Sequence, residues 1–186
     1  MTTADTYTAD AVELDEANDL DRIILFAFNE AMEKLEQGGE LEPFTIILHG
    51  ENLHVETHPG EDVEECFESA ALAVQQLAHV LDAYVFAYDG YVATDEGKRD
   101  AIIAERGMPG EELAEVFAVL YTLDEEGDGA LDFEEGIYDL GLAASLLVEE
   151  EDAGDDLDEF FAPGDKPDDA SLDSEALNDE PGEPQV

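Results

Sequence analysis

Lysine and arginine are nearly absent: six of 186 residues, against 52 aspartates and glutamates, for a formal net charge of −46 at pH 7. A surface this acidic repels phosphate backbones and anionic lipid headgroups, which argues against direct nucleic-acid binding and docking on an acidic membrane. Tryptophan is missing, so nine Phe and six Tyr supply the large packing groups. A single cysteine, Cys66, excludes an internal disulfide framework and a cysteine-based zinc site. No run approaches the roughly eighteen apolar residues of a membrane span. The opening MTTADTYTADAVELDEAND lacks the positive and apolar regions of a signal peptide. By elimination the expected location is cytoplasmic.

What is present suffices for a core, since 44% of the residues are hydrophobic. Residues 149–186 carry 16 acidic residues and one basic, so most of the negative charge, about −31, belongs to the rest of the chain. That distribution fits a solvated surface suited to high salt, as halophilic proteins use. It also suits a basic protein partner. Three parts are expected: an irregular acidic N-terminus over 1–17, one domain over 18–147, and a disordered acidic tail over 148–186. Leu157, Phe160 and Phe161 are the tail's apolar cluster, a candidate docking motif.

Asn18 is a suitable N-cap, and Leu20, Ile23, Ile24, Ala27, Phe28, Ala31, Met32 and Leu35 recur at helical spacing until Gly38-Gly39. Residues 44–49 and 53–58 read as a hairpin about a type II′ turn at Gly50-Glu51, with Leu48 opposite Leu53 and Ile46 opposite Val55. Asp62 with Glu65 resembles a capping box, opening a second amphipathic helix whose stripe includes Cys66 and ends at Leu81. Cys66 is therefore read as core.

Residues 82–107 are the strongest strand signal and hold Lys98, Arg99 and Arg106. They read as a central hairpin turning at 95–97, with a bulge or bend at Asp89-Gly90. Its basic residues, beside Tyr84, Tyr88 and Tyr91, form either a ligand patch or charge relief for Asp95, Glu96, Asp100 and Glu105; charge relief is preferred. Residues 113–123 and 130–134 supply two more strands, or a helix entering a calcium loop; the alternation of Leu131, Asp132, Phe133 and Glu134 favours strands. The expectation is an α+β two-layer domain of order α-β-β-α-β-β-β-β, with a mostly antiparallel sheet and two helices on one face.

The segment DEEGDGALDFEE, residues 124–135, resembles the EF-hand calcium loop. Asp124, Glu126, Asp128, the Ala130 carbonyl, Asp132 and Glu135 fall at ligand positions, and Gly129 at the turn. That resemblance implies Ca²⁺ binding by those six residues. It departs from the family in the long Glu126, in Gly136 where a helix should begin, and in having no second loop. Otherwise no cofactor is expected. His54 and His58 share a strand face but lie roughly 13 Å apart at about 3.3 Å per residue, too far for one ion. His49 with His54 leaves only two ligands, so a polar outer face is preferred. No phosphate loop, nucleophile elbow or metalloprotease helix occurs.

The sequence thus reads as a non-enzymatic protein-binding or regulatory domain. A calcium-binding module and an acidic DNA mimic are the alternatives.

Overall fold

The structure, a computed structural model, describes residues 11–16, 18–124 and 129–148. The tail expected over 148–186, apart from Val148, lies outside the described residues, as do Glu126 and Asp128. The elements run β1 (Ala11–Val12), α1 (Asp19–Gly38), β2 (Phe44–His49), β3 (Asn52–Thr57), α2 (Val63–Gln76), β4 (Ala83–Thr94), β5 (Gly97–Gly107), β6 (Leu113–Leu123), β7 (Leu131–Phe133) and β8 (Ile137–Ala144). Every pairing is antiparallel, in the order β1-β8-β6-β5-β4-β2-β3, with β7 also on β6. The fold is α+β.

Local chemistry explains the helix boundaries. The Asn18 side chain accepts the Leu20 N–H at 3.0 Å, and Asp19 and Asp21 sit in the first turn, where the helix dipole favours negative charge. Gly39, at φ +76°, closes α1 by donating its N–H to the Leu35 carbonyl. Asp62 caps α2 by accepting the Glu65 N–H at 3.0 Å. That helix stops at Gln76 and gives way to turns, short of the expected Leu81.

The hairpin of β2 and β3 has the expected register, Leu48 opposite Leu53 and Ile46 opposite Val55. Gly50 has φ +59° and no non-glycine among the described residues has positive φ, Glu51 included, which is the type II′ pattern. In the β4–β5 hairpin the ladder runs without a break through Asp89 and Gly90, so the bulge expected there is absent. Gly90 answers to packing instead: a Cβ there would come within 2.8 Å of the Ile103 Cδ1. The irregularity lies between β6 and β8, where Val116 faces Gly141 and Phe117 faces Asp139, leaving Leu140 extra.

Three expectations need correction. The helices lie on opposite faces of the sheet, not on one. Ile23, Ile24, Ala27, Phe28 and Leu35 of α1 pack with Ile46, Val85, Ala87, Ile102, Ala104 and Phe117. Ala70 and Val74 of α2 pack with Ile47, Tyr84 and Phe86, whose side chains alternate with the first set. The inner strands β2 and β4 are therefore buried on both sides, which accounts for their unbroken apolar runs TIIL and AYVFA. Second, residues 11–12, expected to be irregular, pair with β8. Third, residues 137–144 form a strand that the expected order omitted. No helix among the described residues is long and apolar enough to cross a membrane.

Candidate functional site

The central basic cluster is dispersed by the fold. Arg106, only 8% exposed, donates from Nε to Glu115 Oε2 at 3.0 Å and from Nη1 to Asp21 Oδ1 at 3.0 Å; its Nη2 also reaches Glu115. Its guanidinium lies 5.3 Å from the centre of the Phe117 ring. Burial pushes the Asp21 carboxyl up, but the Asp15 N–H and Arg106 outweigh it and hold the group below the usual aspartate value. Arg106 thus ties the first turn of α1 to β5 and β6. Arg99 pairs with Glu134, while Lys98 lies 5.8 Å from the centre of the Tyr91 ring. The cluster relieves charge through ion pairs with Asp21, Glu115 and Glu134, and, of the four acidic neighbours expected, Glu96 acts on Arg99 through its charge.

Polar groups inside the sheet are satisfied locally. Glu105, 5% exposed, accepts the Tyr88 hydroxyl at 2.7 Å, with Phe67 and Phe86 packed against the Tyr88 ring. Burial raises the Glu105 carboxyl despite that hydrogen bond. The Tyr84 hydroxyl accepts the Leu146 N–H at 2.8 Å and meets Ser145 Oγ at 3.2 Å, anchoring the end of β8. Tyr121 donates to Asp89 at 2.7 Å. Among the described residues no buried side-chain polar atom lacks a partner.

The histidines separate as well. His58 is fully buried, with Nε2 2.8 Å from Thr45 Oγ1 and Nδ1 3.0 Å from Ser69 Oγ. Burial depresses its pKa below 6.5, so the ring is neutral at pH 7. A Ser–His contact suggests nucleophilic chemistry, but neither groove described below reaches Ser69 or His58. The polar outer face expected for His58 is corrected: it is a core residue. The signal available was Pro59-Gly60, which ends the strand; Gly60 sits against Cys66 and Glu65 of α2. His49 instead contacts the Val80 carbonyl through Nδ1.

Of the calcium-loop residues, Asp124, Ala130, Asp132 and Glu135 are described, and they lie on or beside two paired strands. β6 and β7 flank the segment, with Thr122 opposite Asp132 and Leu123 opposite Leu131. The alternative of a helix over 109–123 is therefore replaced by a strand over Leu113–Leu123. The Asp124 N–H donates to the Ala130 carbonyl at 3.0 Å, continuing the ladder by one rung. Asp132 lies within β7 and Glu135 beyond its end. Gly129 has φ +74°. Beside it a groove of about 520 Å³ runs between Leu35, Glu36, Asp100, Tyr121, Leu123 and Ala130. Among the described residues no group of three or more His, Cys, Asp or Glu is arranged to hold a metal ion.

A larger groove, about 600 Å³, runs between α1 and the tip of the β2–β3 hairpin. Ile23, Leu25, Phe26, Leu48 and Leu53 supply its apolar lining, and Glu16, Glu51, Asn29 and the ion pair Asp19–Arg22 its polar lining. Leu53 and Val55 are 43% and 37% exposed, because α1 covers β2 but does not reach across β3. Alternation places both residues on an apolar face; that no described residue covers the face depends on the position of α1. No protein-family model, curated protein or solved structure matches this chain.

Proposed function

We propose that this chain is a non-catalytic binding domain that recognises a basic protein partner through its acidic folded body. The observation supporting this reading is the fate of the cations. Of the five basic residues among the described residues, Arg22, Arg99 and Arg106 are in ion pairs, and Lys34 and Lys98 lie against aromatic rings. The carboxylates outnumber them several-fold, so the surface field is negative and steers cationic partners. A DNA mimic fits less well. Such a mimic needs carboxylates along one face, whereas exposed acids here lie on α1 (Glu33, Glu36) and on α2 (Glu64, Glu65, Glu68), which sit on opposite sides of the sheet.

The test is affinity capture at native salt with the full chain, followed by titration of each purified captured protein. Basic proteins binding at defined stoichiometry are the expected result. A captured set with no excess of basic proteins removes the reading.

A second reading, calcium binding by Asp124, Glu126, Asp128, Ala130, Asp132 and Glu135, is favoured by the positive φ of Gly129 at the turn position. Calorimetry with Ca²⁺ tests it. Heat that disappears in an Asp124→Ala/Glu135→Gln variant supports the site, and no heat, or heat unchanged by the substitutions, removes it.

A further inference from the structure

The free edge of β3 and the groove beside it form a continuous surface. β3 is the last strand of the sheet among the described residues. Hydrogen bonds outside the regular ladder show which way its backbone groups point. The Leu48 carbonyl accepts from Asp82, on the β4 side, and the Pro43 carbonyl accepts from His58, on the β3 side. Odd-numbered residues of β2 therefore bond to β3, and through the register His49–Asn52, Ile47–His54 and Thr45–Glu56 they engage its even-numbered residues. The N–H and C=O groups of Leu53, Val55 and Thr57 face outward.

Edges of this kind are normally blunted by lysine, proline, a bulge or a very short strand. β3 has six residues, NLHVET, with no lysine, proline or bulge and with Glu56 as its one carboxylate, and its ladder with β2 is regular. It is also held in place. The Gly50 N–H at the hairpin tip donates to Asp82, and the base is pinned by His58 N–H on the Pro43 carbonyl at 2.7 Å. Little ordering is left for a partner to supply.

We propose that β3 accepts an extended segment of the basic partner as an added strand, one face of which lays apolar side chains into the groove beside α1. Alternation sets the rest of the pattern. Every second residue points to Leu53 and the apolar floor of Ile23, Phe26 and Leu48. The residues between point to the other face, past His54 and Glu56, while the segment as a whole runs beside Glu16, Glu51 and the Asp19–Arg22 pair. The recognised segment therefore alternates apolar residues with lysine or arginine. A second copy of this chain would bring another −46 to the same edge, so charge selects a cationic occupant. This inference rests on the basic-partner reading and specifies where and how the partner binds.

The probe is a labelled heptapeptide, Lys-Val-Lys-Val-Lys-Val-Lys, titrated into the full chain at fixed ionic strength. Two further peptides carry N-methyl groups on all valine amides or on the internal lysine amides. Strand addition uses only one of these sets. The expected result is at least a tenfold loss for one methylated peptide, retention for the other, and a similar loss in a Val55→Pro chain. Val55 donates no hydrogen bond to β2, and a Leu53→Ser chain tests the groove without touching the backbone. If all three peptides and heptalysine bind alike, the edge site fails while the basic-partner reading stands. If no cationic peptide binds, both fail. Self-association that Val55→Pro abolishes, without peptide binding, overturns the inference in favour of a second copy.

Discussion

Arg106 illustrates how much a single cation does in this chain. It serves a carboxylate on α1 and another on β6 while stacking over Phe117. Arg106→Met keeps the stem packing but strands Asp21 and Glu115. We expect a loss of about 2 kcal/mol in urea unfolding at pH 7. Asp21 has its folded pKa lowered from 3.8, so its contribution is present above that value and is lost as pH falls through the folded pKa. The gap between wild type and variant should narrow there; a gap independent of pH would assign the residue's role to packing alone. Glu105 and His58 carry opposite signs. Burial raises Glu105 above 4.5, so its contribution is full below 4.5 and is lost as pH rises through the folded value. Glu105→Gln, which retains an acceptor for Tyr88, should be neutral at pH 4 and stabilising at pH 7. Burial lowers His58 below 6.5, so its contribution is present above 6.5 and lost on acidification through the folded value. The deficit of His58→Gln relative to wild type should therefore shrink between pH 7 and pH 5. Urea midpoints at three pH values check both variants.

At the scale of elements, those with local determinants were legible. The start of α1 depends on one side chain and one dipole, so Asn18→Ala should cost about 1 kcal/mol, seen as a lower urea midpoint with unchanged m-value. The β2–β3 register followed from Gly50 and the alternation around it. The α2 boundary and the β4 continuity were less legible, because neither Leu77 nor Gly90 announces its neighbours. Gly90 is small because Ile103, thirteen residues away, occupies the space beside it. β8 was missed since IYDLGLAA combines a bulge with half-exposed residues and shows no clean alternation. The candidate site was half legible. Leu53 and Val55 were placed on one face, but nothing local says that a helix stops short of them.

At the scale of the whole molecule, the charge dominates. The roughly −31 carried by residues 1–148 repels itself, and added salt screens that repulsion. Melting temperature should therefore rise steeply from low to molar KCl, and a flat response in thermal melts would refute the surface-charge argument. The same screening should weaken capture of any basic partner, so binding and stability respond to salt in opposite directions.

Composition, charge, helix caps and hairpin register were determined by the sequence itself, because each depends on residues within a few positions of one another or on a sum over the chain. The tertiary structure alone decided that the two helices cover opposite faces, that Arg106 reaches Asp21, that His58 is core, and that among the described residues nothing covers one edge and one apolar face of β3. Each of these depends on which distant segment arrives alongside. Periodicity marks a surface as apolar; only long-range packing settles what, if anything, lies against it.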